Sequence, residues 1–522
     1  MKKLALLLAL VLAFSATSAL AEISPLGLHE LPLTEEPITY TWWVNTQAQD
    51  LNENGIYGEL EEITGVHIDW TLVSTDAETK RNLMWASGDL PDIIGQGLFT
   101  ESDLTTYYQY GVLLPIDEYI DTCMPNLKWV CSKEGFETVL NSLKQADGKI
   151  YSLPKIESDN HTQVTSQVSI NKTWLDALGL DMPTTTDELY DVLVAFKEKD
   201  PNGNGEQDEI PFTYLYGQNW MNGQLNGWFG VTTDFRIDLD GHVTYSPYED
   251  GYKEMVKFIR RLYTDGLMDP EFFTQDYTTY NAKGFDGRYG VFQSYGRYIT
   301  VKEEDFVNYA YLAPLASGTE VSGSVRFRPD GATLELVNTL ISADVEKPEV
   351  LMSYMDMLYD PYYGIQAGRG VIGKQLTYNE NGDLVNNTEG IPSNFSTLEE
   401  WRRATVAHQI PYCGLEEYIP ELIGTNAELV NYKEQSSFYR DQFINQILPW
   451  HYNTQEENDA LAEYATDLEK YTTEQFARWV SGEGDVDAEW DAYKAQLEAL
   501  HVNEYVAAEQ AMVDRVLAMF AE

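Results

Sequence analysis

The chain has 522 residues, of which 84 are acidic and 34 are basic, so its net charge at pH 7 is −50. An electrostatic field of that sign repels nucleic acids and anionic membrane surfaces, and it disfavours anionic ligands unless a local arginine overrides it. Neutral solutes and cations are therefore the expected ligands. With 43% hydrophobic residues the chain can bury large cores, and its length favours two large lobes or about three domains.

The N-terminus carries an export pattern. Two lysines, the apolar run LALLLALVLAF and the small-residue site ALA predict a cleavable signal peptide over residues 1–21. That run is too short to span a bilayer. The proline-rich segment 22–37 is expected to be a linker. We therefore expect a secreted protein, either extracellular or associated with the cell surface.

The three cysteines are too few for a disulfide framework. A proline-containing turn separates Cys123 from Cys131, so these two either pair or remain reduced thiols. Cys413 is unpaired in both cases. The seven histidines show no zinc-binding spacing.

Strands and helices alternate after the linker. The expected elements are a strand over 38–44 (ITYTWWV), a helix in GELEEITG, a strand in VHIDWTLV, a helix from Asp76 that stops at Ser87-Gly88, and a buried strand in PDIIG. This order predicts a right-handed parallel sheet, whose ligands bind beyond the carboxyl ends of the strands. The side chains expected at that edge are Trp42, Trp43, Asn45 and Gln96.

A second α/β unit begins with a strand in SQVSI. Thr185 and Glu188 form a capping box, and the apolar residues that follow repeat at helical spacing. RYGVFQSYGRY predicts a strand, NYAYLAPL a strand that returns to the first unit, and EKPEVLMSYMDMLYD a helix. The polar stretch 377–400 is expected to be a loop insertion, and the chain is expected to be helical from about Asn458.

This pattern predicts two discontinuous lobes. Lobe 1 is expected to comprise 38–163 and 311–365, and lobe 2 to comprise 166–308 and 370–522. Several segments cross between the lobes, so they form a hinge, and the cleft between them is the expected site of ligand enclosure.

The stretch DPNGNGEQDEIP, residues 200–211, has the spacing of a calcium loop. Oxygen-bearing side chains alternate along it and a glycine occupies the tight turn, as in an EF-hand loop. The bidentate glutamate expected at position twelve is replaced by Pro211, and Glu209 is the substitute. The alternative is a solvated turn rich in Asp and Asn. A second helix-loop-helix is missing, so the predicted calcium has a structural role and is not a sensor. The predicted ligands are Asp200, Asn202, Asn204, Glu206 (through its carbonyl), Asp208 and Glu209.

Aromatic side chains give the best indication of the ligand. The chain has 12 Trp, 35 Tyr and 19 Phe, and sugar rings pack their C–H faces on aromatic rings while polar groups bind the hydroxyls. Tyr295, Arg297 and Trp401 join the four residues named above as candidate contacts. Trp43, Tyr295 and Trp401 are the favoured platforms. If the first strand alternates, either Trp42 or Trp43 points inward.

No catalytic motif stands out. GRGVIGK (368–374) resembles a phosphate loop, but Gln375 replaces the Ser or Thr that would bind magnesium, so a loop is expected there, with Arg369 near the cleft. There is no nucleophile elbow. Paired carboxylates for glycoside hydrolysis remain an alternative, because with 84 acidic residues chance pairs are inevitable.

Several phrases resemble the extracellular solute-binding proteins of carbohydrate ABC transporters, family 1, the alginate-binding-protein-like branch. They are ASGDLPDII, ADGKIYSLPK, the long stretch 170–211, and VSGEGDVDAEWDAYKAQLEAL. The resemblance implies an α/β, two-lobed periplasmic binding protein-like fold of type 2, with a helical C-terminal region. It also implies a structural calcium on the six ligands listed above.

The expected function is to bind an oligosaccharide by hinge closure and deliver it to the membrane permease subunits of an ABC transporter, as a monomer, without catalysis and without nucleic acid. The alternatives are a secreted glycoside-active enzyme and a sugar-sensing binding protein. Two features depart from the family: no lipobox cysteine follows the signal, and PYYGIQAGRGVIGK replaces an acidic loop that bears tyrosine. Neither the sugar nor its length follows from the sequence.

Overall fold

A computed structural model describes most of the chain after the predicted signal peptide. The described residues are 24–95, 99–158, 167–217, 224–323, 333–395, 398–407, 410–419, 430, 434–435, 437–439, 442 and 448–521. Gln96 and the predicted signal peptide lie outside them. None of the helices in these ranges combines the length and apolar character needed to cross a membrane.

Strands and helices alternate through the first two thirds of the chain, and helices dominate its end. The strands are β1 (Ile38–Asn45), β2 (Val66–Val73), β3 (Ile93–Ile94), β4 (Ser152–Glu157), β5 (Gln167–Asn171), β6 (Ile210–Thr213), β7 (Phe235–Ile237), β8 (Val243–Tyr245), β9 (Tyr289–Ser294), β10 (Tyr309–Tyr311), β11 (Thr333–Ile341), β12 (Leu376–Tyr378), β13 (Leu384–Asn386) and β14 (Cys413–Gly414). The α-helices are α1 (Leu51–Asn54), α2 (Tyr57–Thr64), α3 (Ala77–Ser87), α4 (Glu101–Gln109), α5 (Asp117–Cys123), α6 (Pro125–Cys131), α7 (Val139–Ser142), α8 (Lys172–Leu178), α9 (Thr186–Glu198), α10 (Asp250–Thr264), α11 (Tyr277–Phe285), α12 (Arg297–Thr300), α13 (Pro348–Met357), α14 (Pro361–Arg369), α15 (Leu398–Thr405), α16 (Gln455–Val480), α17 (Val486–Ala499) and α18 (Val502–Ala521).

The first lobe is built on a six-stranded sheet of order β14-β4-β11-β3-β1-β2. β1 runs parallel to both β2 and β3, as the alternation of strands and helices predicts. β11 is inserted antiparallel between β3 and β4, so the complete sheet is mixed. Helices including α2, α5, α6 and α13 bury the sheet in one large apolar core.

The second lobe is built on a four-stranded sheet of order β10-β5-β9-β6. α9 begins at the predicted capping box of Thr185 and Glu188, and its apolar stripe is buried against this sheet. The C-terminal helices complete the same core, with Trp479 of α16 and Trp490 of α17 buried in it. The predicted helical C-terminal region is confirmed, and it belongs to this lobe.

Two predictions about chain crossings are wrong. NYAYLAPL forms β10, which pairs with β5 in the second sheet and does not return to the first; the crossing strand is β11. β14 and its neighbour Tyr412 belong to the first sheet and core, whereas the sequence pattern predicts that 370–522 belongs to the second lobe. An alternating pattern predicts a strand but does not identify the sheet in which it pairs.

A single long helix also joins the lobes. Tyr452 is buried in the first core just before α16 begins, and Phe476 near its end is buried in the second core. At its start the N–H of Asn453 contacts a carboxylate oxygen of Glu101 in α4 at 3.4 Å. Part of the predicted loop insertion 377–400 instead forms the β12–β13 hairpin. The three cysteines are all unpaired in the structure.

Candidate functional site

One edge of the second sheet faces the first lobe. The chain leaves the first sheet at Glu157, the end of β4, and enters the second sheet at Gln167, the start of β5. Gln167 lies opposite Ser294, the last residue of β9, and β6 runs parallel to β9. The carboxyl ends of β6 and β9 therefore meet at the edge from which the crossing segment arrives, where ligands of open α/β sheets bind.

A cavity of about 360 Å³ opens beside the carboxyl end of β6. Its size falls in the usual range for small-molecule sites. The rings that line it are Tyr214, Tyr216, Tyr245, Tyr252, Phe476 and Tyr505, and its polar lining includes Asn226, Asp234, Glu469 and Thr472. Tyr216 and Phe476 lie nearly parallel, with ring centroids 5.7 Å apart and an interplanar angle of 10°. No lysine or arginine is among the described residues that line it.

Carboxylates set the electrostatics of this cavity. The hydroxyl of Tyr505 donates to Oδ2 of Asp234 at 3.3 Å. Asp234 is accessible to solvent as a residue, but its carboxyl lies in a concave wall. Burial of that carboxyl, with a smaller contribution from the charge of Glu469, raises the pKa of Asp234 to about 6. Burial, together with Asp234, likewise raises the pKa of Glu509 to about 7. The cavity therefore suits a neutral ligand rich in hydroxyl groups.

The aromatic residues predicted on β1 lie in the core of the first lobe. Trp42 has 0% of its surface exposed and stacks on Trp70, with ring centroids 4.7 Å apart. Trp43 is 5% exposed. Neighbouring residues of β1 that point to opposite faces of the sheet are both buried, so neither tryptophan projects into solvent. Trp42 thus serves the core in this structure, whereas Asn45, half-buried at the end of β1, stays a predicted contact.

Tyr295 and Arg297 follow β9 at the cleft-facing edge. Tyr295 packs against a small apolar cluster formed by Ile365, Leu376, Leu384 and Ile419, so it contacts α14 and the β12–β13 hairpin. Arg297 is largely buried and donates to Glu434 at 2.7 Å and to the Tyr311 hydroxyl at 3.0 Å.

Trp401 lies apart from these two residues, buried on α15. That helix contacts the first lobe, where the N–H of Gln49 donates to the carbonyl of Ala404 at 2.9 Å. Tyr295, Arg297 and Trp401 stay predicted ligand contacts.

An ionic network lies where β4 leaves the first lobe. Oε1 of Glu157 accepts from Arg369 at 3.0 Å and from the Tyr412 hydroxyl at 2.7 Å, and its Oε2 lies 3.3 Å from Nζ of Lys155. Lys155 also binds Glu335 on β11 at 2.9 Å. Burial alone would raise the pKa of Glu157, but the positive charges of Arg369 and Lys155 and the Tyr412 hydrogen bond lower it to about 2.

The predicted calcium loop connects α9 to β6. Asp200 has φ of 45°, and its carboxylate accepts from the N–H of Asn204 at 3.2 Å and from that of Gly205 at 2.9 Å. The side-chain amides of Asn202 and Asn204 donate to Oδ1 of Asp208 at 3.2 and 3.0 Å. The structure therefore brings four of the six predicted ligands together around one turn.

The carboxylate of Glu209 indicates that the loop suits a cation. Its Oε1 is buried without a hydrogen-bond partner among the described residues. Burial raises the pKa of Glu209, and the nearby carboxylates of Asp208 and Asp200 raise it further. Carboxylate and amide oxygens of Asp200, Asn202, Asn204 and Asp208 lie around this turn, and oxygen ligands of this kind are those that calcium prefers. The residues present fit the ion.

A second acidic group, not predicted from the sequence, lies on the β7–β8 hairpin. One ligand atom from each of Asp238, Asp240 and His242 lies within 4.8 Å of the others. Oδ1 of Asp238 accepts from the N–H groups of Asp240 and His242, both at 2.9 Å, as in an ordinary Asp-stabilised turn. The closeness of these three side chains is therefore explained by the turn itself, without a bound metal ion.

The chain was compared with known proteins. No model of a protein family matches the sequence. The chain is 34% identical to the fructooligosaccharide ABC transporter substrate-binding protein FusA of Streptococcus pneumoniae over 484 residues, which is 90% of this chain and 88% of the relative. The chain belongs to the substrate-binding proteins of carbohydrate ABC transporters.

Solved structures agree with this assignment. The S. pneumoniae FusA complex with kestose matches this substrate-binding protein with a TM-score of 0.74 and 31% identity, covering 92% of this chain and all of that one. The complex of a FusA EF-hand mutant with fructo-nystose matches with a TM-score of 0.75, the same identity and the same coverage. The two-lobed fold and the predicted family are thereby confirmed.

Sequence reasoning missed the ring-lined cavity of this substrate-binding protein. One signal was available, since TYLYG places two tyrosines directly after the buried strand β6. The other walls come from segments far apart along the chain, represented by Asp234, Phe476 and Tyr505. Their convergence follows only from the packing of α16 and α18 on the second lobe.

Proposed function

We propose that the protein is secreted, binds a neutral oligosaccharide in the cleft between its lobes, and delivers it as a monomer to the membrane permease of an ABC transporter. The observation that carries the proposal is the cavity of tyrosine and phenylalanine rings beside the carboxyl end of β6. Aromatic rings pack on the apolar faces of sugars, and the phenol, amide and carboxylate groups around them bind hydroxyls.

The charge of the site favours a neutral sugar over a uronate. The cavity's described lining supplies carboxylates and no cationic side chain, and the whole chain carries a net charge of −50. Bringing an anionic sugar beside Asp234 and Glu469 places like charges close together, which is unfavourable. FusA is named for fructooligosaccharides, so kestose and fructo-nystose are the first sugars to test. Trp43, Asn45, Gln96, Tyr295, Arg297 and Trp401 are proposed as further contacts.

We also infer that the loop 200–211 holds a structural calcium ion. The proposed ligands are Asp200, Asn202, Asn204, Glu206, Asp208 and Glu209, and the orphaned carboxylate of Glu209 supports the assignment. The FusA relative is described as having an EF-hand. A bound calcium ion would supply positive charge that neutralises the carboxylates. Arg288 fixes the loop to β9 by donating to the Asp208 carbonyl at 3.0 Å, so the ion would fasten α9 to the second sheet.

The mechanism we propose is hinge closure without covalent chemistry. Contacts that the sugar makes with both lobes stabilise the closed state, and the permease would recognise that state. The relatives are substrate-binding proteins.

The test is thermal unfolding of residues 22–522 with kestose, fructo-nystose and an oligogalacturonate, each recovered and analysed afterwards. A ligand at one hundred times its dissociation constant adds about 2.7 kcal/mol of stability, which gives a readable shift in midpoint. We expect saturable shifts with the neutral sugars, no shift with the uronate, and intact sugar. Cleaved sugar would support a glycoside-active enzyme instead, and no shift with any saccharide would refute the substrate class.

A further inference from the structure

Three polar side chains lie together on one face of the second sheet. Gln167 and Ser169 are two residues apart on β5, so their side chains point the same way. Gln167 pairs directly with Ser294 of β9 across the antiparallel ladder, and directly opposed residues share a face. The three residues therefore form one contiguous polar patch, which we call the Gln167 patch. It begins at the sheet edge where the chain crosses from the first lobe.

The Gln167 patch is completely buried and its polar atoms are unpartnered. Gln167, Ser169 and Ser294 each have 0% of their surface exposed. Both Nε2 and Oε1 of Gln167, and the hydroxyls of Ser169 and Ser294, have no hydrogen-bond partner in the part of the chain that the structure describes. Buried polar groups in native proteins are nearly always paired, because an unpaired one costs free energy. Four such atoms at one place call for partners other than the described residues, and ligand hydroxyls or ordered water can supply them.

The chemistry of the patch indicates what that partner is. A carboxamide offers a donor and an acceptor, and each serine hydroxyl can act as either. Sugar hydroxyls also donate and accept, so they can satisfy all four atoms at once. A lone anion satisfies only donors, and a metal ion satisfies only acceptors. Ser169 also lies opposite Tyr311 of β10, whose hydroxyl accepts from Arg297. Further polar groups therefore border the patch.

From these observations we propose that the Gln167 patch is a hydroxyl-recognition surface for a neutral saccharide, distinct from the ring-lined cavity beside β6. The inference rests on the proposed function and extends it by assigning residues that sequence analysis did not select. In this arrangement the rings beside β6 hold the apolar faces of one part of the sugar, and the patch hydrogen-bonds another part where β5 and β9 meet the cleft.

The experiment is calorimetric titration of kestose into the full mature chain and into Ser169→Ala and Ser294→Ala. Losing one hydrogen bond to a sugar hydroxyl should raise the Kd about tenfold in each variant. The unfolding midpoint of the sugar-free variants should be unchanged or higher, because a hydroxyl without a partner stabilises nothing. Gln167→Leu, which removes two of the four atoms, should raise the Kd more than either serine variant.

Ser152→Ala is the matched control. Ser152 is also a buried strand serine, but it lies in the first lobe and its hydroxyl donates to the Leu336 carbonyl at 2.8 Å. Its replacement should lower the unfolding midpoint and leave the Kd for kestose unchanged. Monodeoxy kestose analogues distinguish ligand recognition from a structural role. The analogue that lacks the partner hydroxyl should bind the parent protein more weakly than kestose does. The serine variant should bind that analogue and kestose with equal Kd values.

The outcomes separate the two proposals. If the parent binds kestose and both serine variants bind it within twofold of the parent, the patch holds internal water or is merely structural, and only this inference falls. If the parent does not bind kestose, the fructooligosaccharide assignment and this inference fall together. Weaker binding by the serine variants, with unfolding midpoints that do not drop, supports the patch as a recognition surface.

Discussion

Replacing Glu157 by glutamine should destabilise the protein by an amount that depends on pH. The carboxylate has 17% of its side chain exposed and contacts Arg369, Lys155 and Tyr412. Glutamine keeps the shape but removes the negative charge that Arg369 and Lys155 share, and breaking a buried ion pair in this way costs about 3–5 kcal/mol. The pKa gives a second estimate of this loss of stability. Lowering the pKa of Glu157 from 4.5 to about 2 corresponds to roughly 3 kcal/mol of folding free energy at pH 7.

The sign of the pH dependence follows from the same pKa. A depressed carboxyl pKa contributes stability that is fully present above pH 4.5 and is lost as the pH falls towards 2. We therefore expect urea denaturation to show a deficit on the order of 3 kcal/mol for Glu157→Gln at pH 7 and less than half of that at pH 3. Exposed Glu346→Gln, also in the first lobe, should change stability by less than about 0.5 kcal/mol. A deficit below about 1 kcal/mol at pH 7, or an equal deficit at both pH values, would refute the reasoning.

Three other predictions address the calcium loop, the buried acids and the ring-lined cavity. Chelating calcium should lower the unfolding midpoint of the parent but not that of Asp200→Ala. Asp238→Ala, in the other acidic turn, is the control, and its midpoint should fall on chelation as the parent's does. If chelation still lowers the midpoint of Asp200→Ala, the assignment of calcium to this loop is wrong. Burial raises the pKa of Glu509 from 4.5 to about 7, so the folded state loses stability as the pH rises from 4.5 to 7. In urea titrations Glu509→Gln should be more stable than the parent by about 3 kcal/mol at pH 8, with little difference at pH 4.5. Tyr216→Ala should raise the Kd for kestose, measured by calorimetry, about tenfold or more. Tyr216→Phe keeps the ring beside Phe476, so its Kd should stay within about threefold of the parent's. Equal Kd values for all three proteins would exclude Tyr216 as a surface on which the sugar packs.

Local signals in the sequence predicted much of the fold. Gly65 and Gly88 end the helices α2 and α3 with φ of 77° and 71°, conformations that glycine adopts without strain. The Thr185 capping box starts α9 as expected, and the strands of the first unit pair in the predicted parallel order. These features depend on a few neighbouring residues, and the sequence displays them directly.

Long-range pairing was the part that local patterns did not contain. β11 supplies the antiparallel strand between β3 and β4 from a segment more than 170 residues beyond β4. The burial on β1 has the same origin: alternation predicts that one of two neighbouring tryptophans points inward, but both Trp42 and Trp43 are buried in the first core. Which faces of a strand are covered is decided by elements that lie elsewhere in the chain.

The two polar features of the second lobe favour the same class of ligand for different reasons. In the ring-lined cavity, the raised pKa of Asp234 shows that the protein already bears a cost for holding a carboxylate there, so an anionic ligand would add to that cost while a hydroxyl donor would relieve it. In the Gln167 patch no charged group is present, and the unpartnered atoms include both donors and acceptors. An anion fits neither surface and a cation fits only the first. A neutral polyol suits both, and for that reason we propose a neutral oligosaccharide as the ligand.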